Sequence, residues 1–75
     1  MNNTRGIIEA VTLIQDELGP NVAWSLSACV HLIGPGTTAH PAQIQVFEKD
    51  TTSFTIAAST AVRRYKARAA GRSGA

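Results

Sequence analysis

Residues 22–33 read VAWSLSACVHLI, and the period of this stretch decides the fold. The even positions Val22, Trp24, Leu26, Ala28, Val30 and Leu32 are all apolar. The odd positions Ala23, Ser25, Ser27, Cys29 and His31 are small or polar, and only Ile33 breaks the pattern at its end. Alternation with period two is the mark of a half-buried strand. A helical stripe also runs through Val22, Leu26, Cys29 and Ile33, but it leaves Trp24 and His31 together on the outer face. Alternation accounts for more positions, so a strand is the leading reading and a helix the competing one. As a strand, the segment turns Trp24 into the core at the centre of a sheet. As a helix, it makes Trp24 a candidate interface anchor, because exposed tryptophan marks contact hot spots.

The segment before it is clearer. Ile7, Val11, Ile14 and Leu18 recur at helical spacing with Ile8 beside them, which predicts a helix over 5–18. Asn3 or Thr4 can cap its start. Gly19-Pro20 ends it, since glycine suits the left-handed position after the last turn and proline cannot continue a helix.

After it, Gly34-Pro35-Gly36-Thr37-Thr38-Ala39-His40-Pro41 reads as a loop. Residues 43–47 (QIQVF) and 53–57 (SFTIA) alternate around the polar link 48–52, which predicts a β-hairpin. The competing reading is one helix from Ser53 to Ala70, with Phe54, Ala58, Ala61, Tyr65 and Ala69 on one face. Serine and threonine before Ala57 disfavour that helix slightly, because they compete for backbone hydrogen bonds. From Ser59-Thr60 onward both readings give a helix, with Val62 and Tyr65 on its apolar side and Gly71 as its stop. The expected architecture is α+β, a two-layer sandwich ordered helix, three antiparallel strands, helix. The alternative is a small all-α bundle of three or four helices.

A chain of 75 residues is one small domain near the lower limit for a self-supporting core, with residues 71–75 expected as a frayed tail. Cys29 is the only cysteine, so no disulfide forms within one chain. Cys29, His31 and His40 lack paired ligand spacing, so no metal or other cofactor is expected. Small size without a staple makes a homodimer or a tight partner complex plausible. Residues 1–9 lack the basic region and apolar run of a signal peptide, and residues 22–33 fall short of a membrane span. A lone cysteine fits a reducing compartment, and the expected location is the cytoplasm; Cys29 reads as a small buried hydrophobe.

Charge is the most informative functional feature. Net charge is +2, but its distribution is uneven. Residues 1–58 hold Arg5 and Lys49 against Glu9, Asp16, Glu17, Glu48 and Asp50, a net −3. Residues 59–75 hold Arg63, Arg64, Lys66, Arg68 and Arg72 with no acid, a net +5. Cations on one helix can meet phosphates and release counterions, or simply keep a terminal helix wet. Arg63, Arg64, Lys66 and Arg68 are therefore the candidate contacts for nucleic acid or an acidic partner surface, and His40 is a possible contact at the loop tip.

Signals for an enzyme are weak. No serine stands in a nucleophile elbow, and Gly34-Pro35-Gly36 lacks the Lys-Ser/Thr of a phosphate loop. Asp16 and Glu17 are adjacent on a helix and point about 100° apart, so they cannot act as a facing pair. His31 shares a strand face with Ser25 and Ser27, but no acid is placed to orient its ring. The chain reads as a non-enzymatic binding module, either for nucleic-acid phosphates or, as an adaptor or inhibitor, for one protein.

Helix, three strands and helix, with the Gly34-Pro35 loop followed by His40 and a basic last helix, is similar in order to the double-stranded-RNA-binding domain. That likeness implies a loop in a minor groove and cations at the start of the last helix on the phosphates. The sequence departs from it at Ser59-Thr60-Ala61-Val62, where that family carries a lysine cluster.

Overall fold

The alternating stretch holds two strands rather than one. The computed structural model, which describes residues 4–27, 29–49 and 53–71, places β1 at Ala23–Leu26 and β2 at Cys29–Gly34. They pair antiparallel from Ala23↔Ile33 to Leu26↔Val30, so the chain reverses between Leu26 and Val30. β3, Ile44–Lys49, pairs antiparallel with the other side of β2 from Cys29↔Lys49 to Gly34↔Ile44. The sheet order is β1-β2-β3, with helices α1 (Thr4–Leu18) and α2 (Phe54–Ala69) on either side of it in sequence. This is the expected α+β order of helix, three antiparallel strands and helix, and the all-α alternative is excluded.

The route to three strands differs from the expected one. Residues 53–57 are not a strand, and the hairpin predicted over 43–57 does not form. Ser53 instead sits extended at φ −159° and ψ 131° and caps α2. Its Oγ accepts from the Thr55 amide at 3.1 Å and the Ile56 amide at 3.5 Å. Hydroxyls that count against a helix interior are favoured at its start, where they satisfy orphan N–H groups and contribute about 1 kcal/mol. The competing helical face is the one that forms. Ala58, Ala61 and Tyr65 are buried on it, and Phe54 and Ala69 pack against the same core. The link residues 50–52, the even position Ala28, the cap candidate Asn3 and the tail residues 72–75 lie outside the described residues.

Both helices end as their glycines predict. Gly19 and Gly71 each adopt φ 78°, a left-handed conformation that costs glycine little. The helices run side by side in the same direction. Thr55 Oγ1 donates to Glu9 Oε1 at 3.3 Å near their starts, and Lys66 Nζ meets Glu17 Oε1 near their ends. α2 also packs on β2 and β3. Buried Val22, Val30, Leu32, Ile44 and Val46 face Ala10 and Ile14 of α1 and the alanines of α2 in one cluster.

Trp24 does not fill the centre of the sheet. It pairs with Leu32 on the core side but is 40% exposed, because β1 is an edge strand and α2 covers β2 and β3. Cys29 is half-buried at the start of β2 rather than enclosed in the core.

The fold alters the titration of Tyr65. Burial raises its phenol above the usual value near 10. A raised acid binds its proton longer in the folded than in the unfolded chain, so stability falls as pH rises through the tyrosine range. We expect urea midpoints to drop from about pH 10 upward, and Tyr65→Phe to lessen that drop. An equally steep fall in the phenylalanine variant would place its origin elsewhere.

Candidate functional site

The four cations proposed from sequence all lie in the C-terminal half of α2, on the sides that the core leaves open. Successive residues turn about 100° around a helix, so 63, 64, 66 and 68 do not share one stripe. Lys66 faces α1 and pairs with Glu17. Arg64 faces the sheet and pairs with Glu48 of β3 at 2.7 Å. Arg68 faces the same way and donates from Nη1 to the Gln45 carbonyl of β3. Arg63 is exposed between these flanks and, among the described residues, has no partner. The basic helix is thus partly engaged with its own neighbours. Exposed ion pairs of this kind contribute about 0–1 kcal/mol each and exchange readily for other anions.

His40 belongs to a loop that closes on itself. Thr37 N donates to His40 O at 2.7 Å, and His40 N donates to Thr37 O at 3.2 Å and to Thr37 Oγ1 at 3.0 Å. Its ring Nδ1 donates to Ala42 O at 3.1 Å, so the ring is turned along its own loop. Gly36 makes this closure possible, since a Cβ there would lie 2.0 Å from the Pro41 carbonyl. Thr37 Oγ1 also donates to Ala69 O at 2.8 Å, satisfying one of the last carbonyls of α2. The fold therefore brings the loop of His40 to the end of the basic helix.

A second feature was not foreseen. On the sheet face turned away from the helices, His31 and Phe47 stack with ring centroids 3.9 Å apart and an interplanar angle of 14°. His31 Nε2 lies 3.2 Å from Gln45 Oε1, and Ser25 stands opposite His31 on β1. Phe47 is 58% exposed. Alternation places each of these residues on an outward position, but the pairing of His31 with Phe47 depends on the β2–β3 register. A Ser25–His31 catalytic pair gains no support, because none of the residues sharing this face on the three strands is an acid.

Among the described residues no group of histidine, cysteine and carboxylate side chains could hold a metal ion. No described helix is long and apolar enough to cross a membrane. The chain matches no known protein family, no curated protein and no solved structure. The likeness in element order to the double-stranded-RNA-binding domain stays one of order. Gly34-Pro35 follows β2 and lies between the second and third strands, not the first two, and α2 begins at Phe54, which puts its cations in the second half of the helix.

Proposed function

We propose that the protein is a small non-enzymatic binding module that holds a nucleic-acid phosphate backbone with Arg63, Arg64, Lys66 and Arg68. The observation that supports this reading is charge segregation: four cations fall within residues 63–68 of α2 with no acid among them. Phosphates would displace Glu17 and Glu48 from Lys66 and Arg64, a cheap exchange for exposed pairs. Backbone contacts of this kind position a nucleic acid without reading its sequence. A single cysteine suits a reducing compartment, and we place the module in the cytoplasm.

Fluorescence anisotropy with labelled oligonucleotides at about 50 and 200 mM salt tests the reading. Binding should weaken steeply with salt, and replacing the four cations with alanine should weaken it at every sequence alike. Glu17→Gln with Glu48→Gln should act in the opposite direction, since each frees a cation. Absence of binding at low salt, or unchanged binding by the quadruple variant, would refute the assignment.

One observation favours a second reading, an adaptor, inhibitor or homodimer that works by protein contact. β1 is an edge strand whose residues, Ala23-Trp24-Ser25-Leu26, carry no charge to guard it, and Trp24 is exposed there. Such an edge can accept another strand. At the opposite edge, Arg68 already occupies the Gln45 carbonyl of β3. Sedimentation at low micromolar concentration separates the possibilities, because a stable monomer removes the homodimer.

A further inference from the structure

We propose that the outer face of the sheet is a stacking site for a base of single-stranded nucleic acid, with Phe47 as its platform. This inference rests on the phosphate-binding reading and adds the form of nucleic acid that the module prefers.

The platform comes first. Phe47 lies on β3 at an outward position, and one side of its ring is covered by His31. The residue is nevertheless 58% exposed, which leaves the other side of its ring open to water. A third flat ring placed there would extend the His31–Phe47 stack. Base–aromatic stacking tolerates any sequence, since every base has a π face.

Charge complementarity then selects the occupant. Arg68 reaches the backbone of β3 at the Gln45 carbonyl, and Arg64 pairs with Glu48 on the helix side of the same strand, so both guanidinium groups stand close to the strand that carries Phe47 but neither lies on its outer face. Lys49 is exposed two residues further on, on the same side of the strand as Phe47. Outward positions of the three strands carry no carboxylate, and Glu48, at an inward position, is held by Arg64. Gln45 and Ser25 supply hydrogen-bonding groups beside the rings. An aromatic platform with Lys49 beside it and no carboxylate at the outward strand positions fits a strand whose bases are free to turn outward. A duplex keeps its bases stacked inside and cannot present a face to Phe47.

The test compares a labelled single-stranded oligothymidylate with a duplex of the same length. Single-strand binding should be the tighter. Phe47→Leu should weaken it about tenfold or more while leaving duplex binding unchanged, and Phe47→Tyr should restore it. Because Phe47 is on the outer face, circular dichroism should show the leucine variant folded. A readout on the unaltered protein avoids the variant altogether: the Phe47 and His31 ring protons should shift upfield on titration with the oligothymidylate. Salt-sensitive binding that Phe47→Leu does not alter, with unmoved ring protons, overturns the stacking site and leaves the basic-helix reading standing. Stacking that survives removal of the four cations overturns the basic-helix reading on which this inference rests. No binding at all overturns the proposal.

Discussion

Gly34→Ala should destabilise the fold by about 2–3 kcal/mol, at the upper end of what an overpacked core site costs. Gly34 ends β2 and is buried, and the side chain of Tyr65 lies across its backbone. A Cβ at this position would stand 1.7 Å from the Tyr65 hydroxyl oxygen and 2.7 Å from Cζ. Moving only the hydroxyl does not relieve that overlap, because the ring carbon is also too close. Tyr65 is only 6% exposed and its ring lies between α2 and the sheet, so it cannot swing into solvent without opening the core. The demand for glycine here is one of space and not of backbone angle, since Gly34 has no positive φ. Urea denaturation followed by circular dichroism measures the loss. A double variant tests its cause: in a Tyr65→Leu background the further cost of Gly34→Ala should shrink to within about 0.5 kcal/mol, since contacting residues do not add. If the cost is the same in both backgrounds, the clash with Tyr65 is not its origin.

The same pair shows where the sequence is legible and where it is not. Gly34 reads from sequence as the start of a Gly-Pro loop, and nothing near it announces a tyrosine thirty-one positions away. The alternation over 22–33 was correctly period two, yet it conceals a reversal. In the β1–β2 register Leu26 faces Val30 and Trp24 faces Leu32, so even residues pair with even residues. The apolar side therefore keeps its parity through the turn, and a hairpin is indistinguishable from one long strand by period alone. Residues 53–57 failed for another reason. Phe54 and Ile56 alternate with hydroxyl residues over too short a run to separate period two from a helical start, and the capping role of Ser53 is local chemistry that mimics a strand boundary. Two errors of assignment thus cancelled in the strand count. For the candidate site, the cations were visible because charge is read one residue at a time. Their partners were not: Glu17, Glu48 and the Gln45 carbonyl reach α2 from two different elements. The His31–Phe47 stack likewise depends on a strand register that periodicity leaves open.

Leu32→Ala should be the most damaging single truncation, at about 2–5 kcal/mol. Leu32 lies on the middle strand, flanked on the core side by Trp24 of β1 and Val46 of β3, and it is fully buried. No neighbouring strand can close a cavity there without breaking register on both sides, so the gap left by the lost methyl groups persists. A domain of 75 residues has about 4–11 kcal/mol to lose, so the variant should approach unfolding. The informative comparison is with its neighbour in sequence. His31 points to the opposite face, where truncation removes a stack on Phe47 and an exposed contact with Gln45. Losing an aromatic pair costs about 0.5–1.5 kcal/mol, so His31→Ala should leave the chain folded. Urea midpoints of the two variants, measured side by side, decide whether even positions face the helices and odd positions face solvent. Equal losses would mean that the two faces of β2 are not distinguished by burial. The outer face, with Phe47 and Lys49, would then be as much a part of the core as Leu32 and could not serve as an open platform.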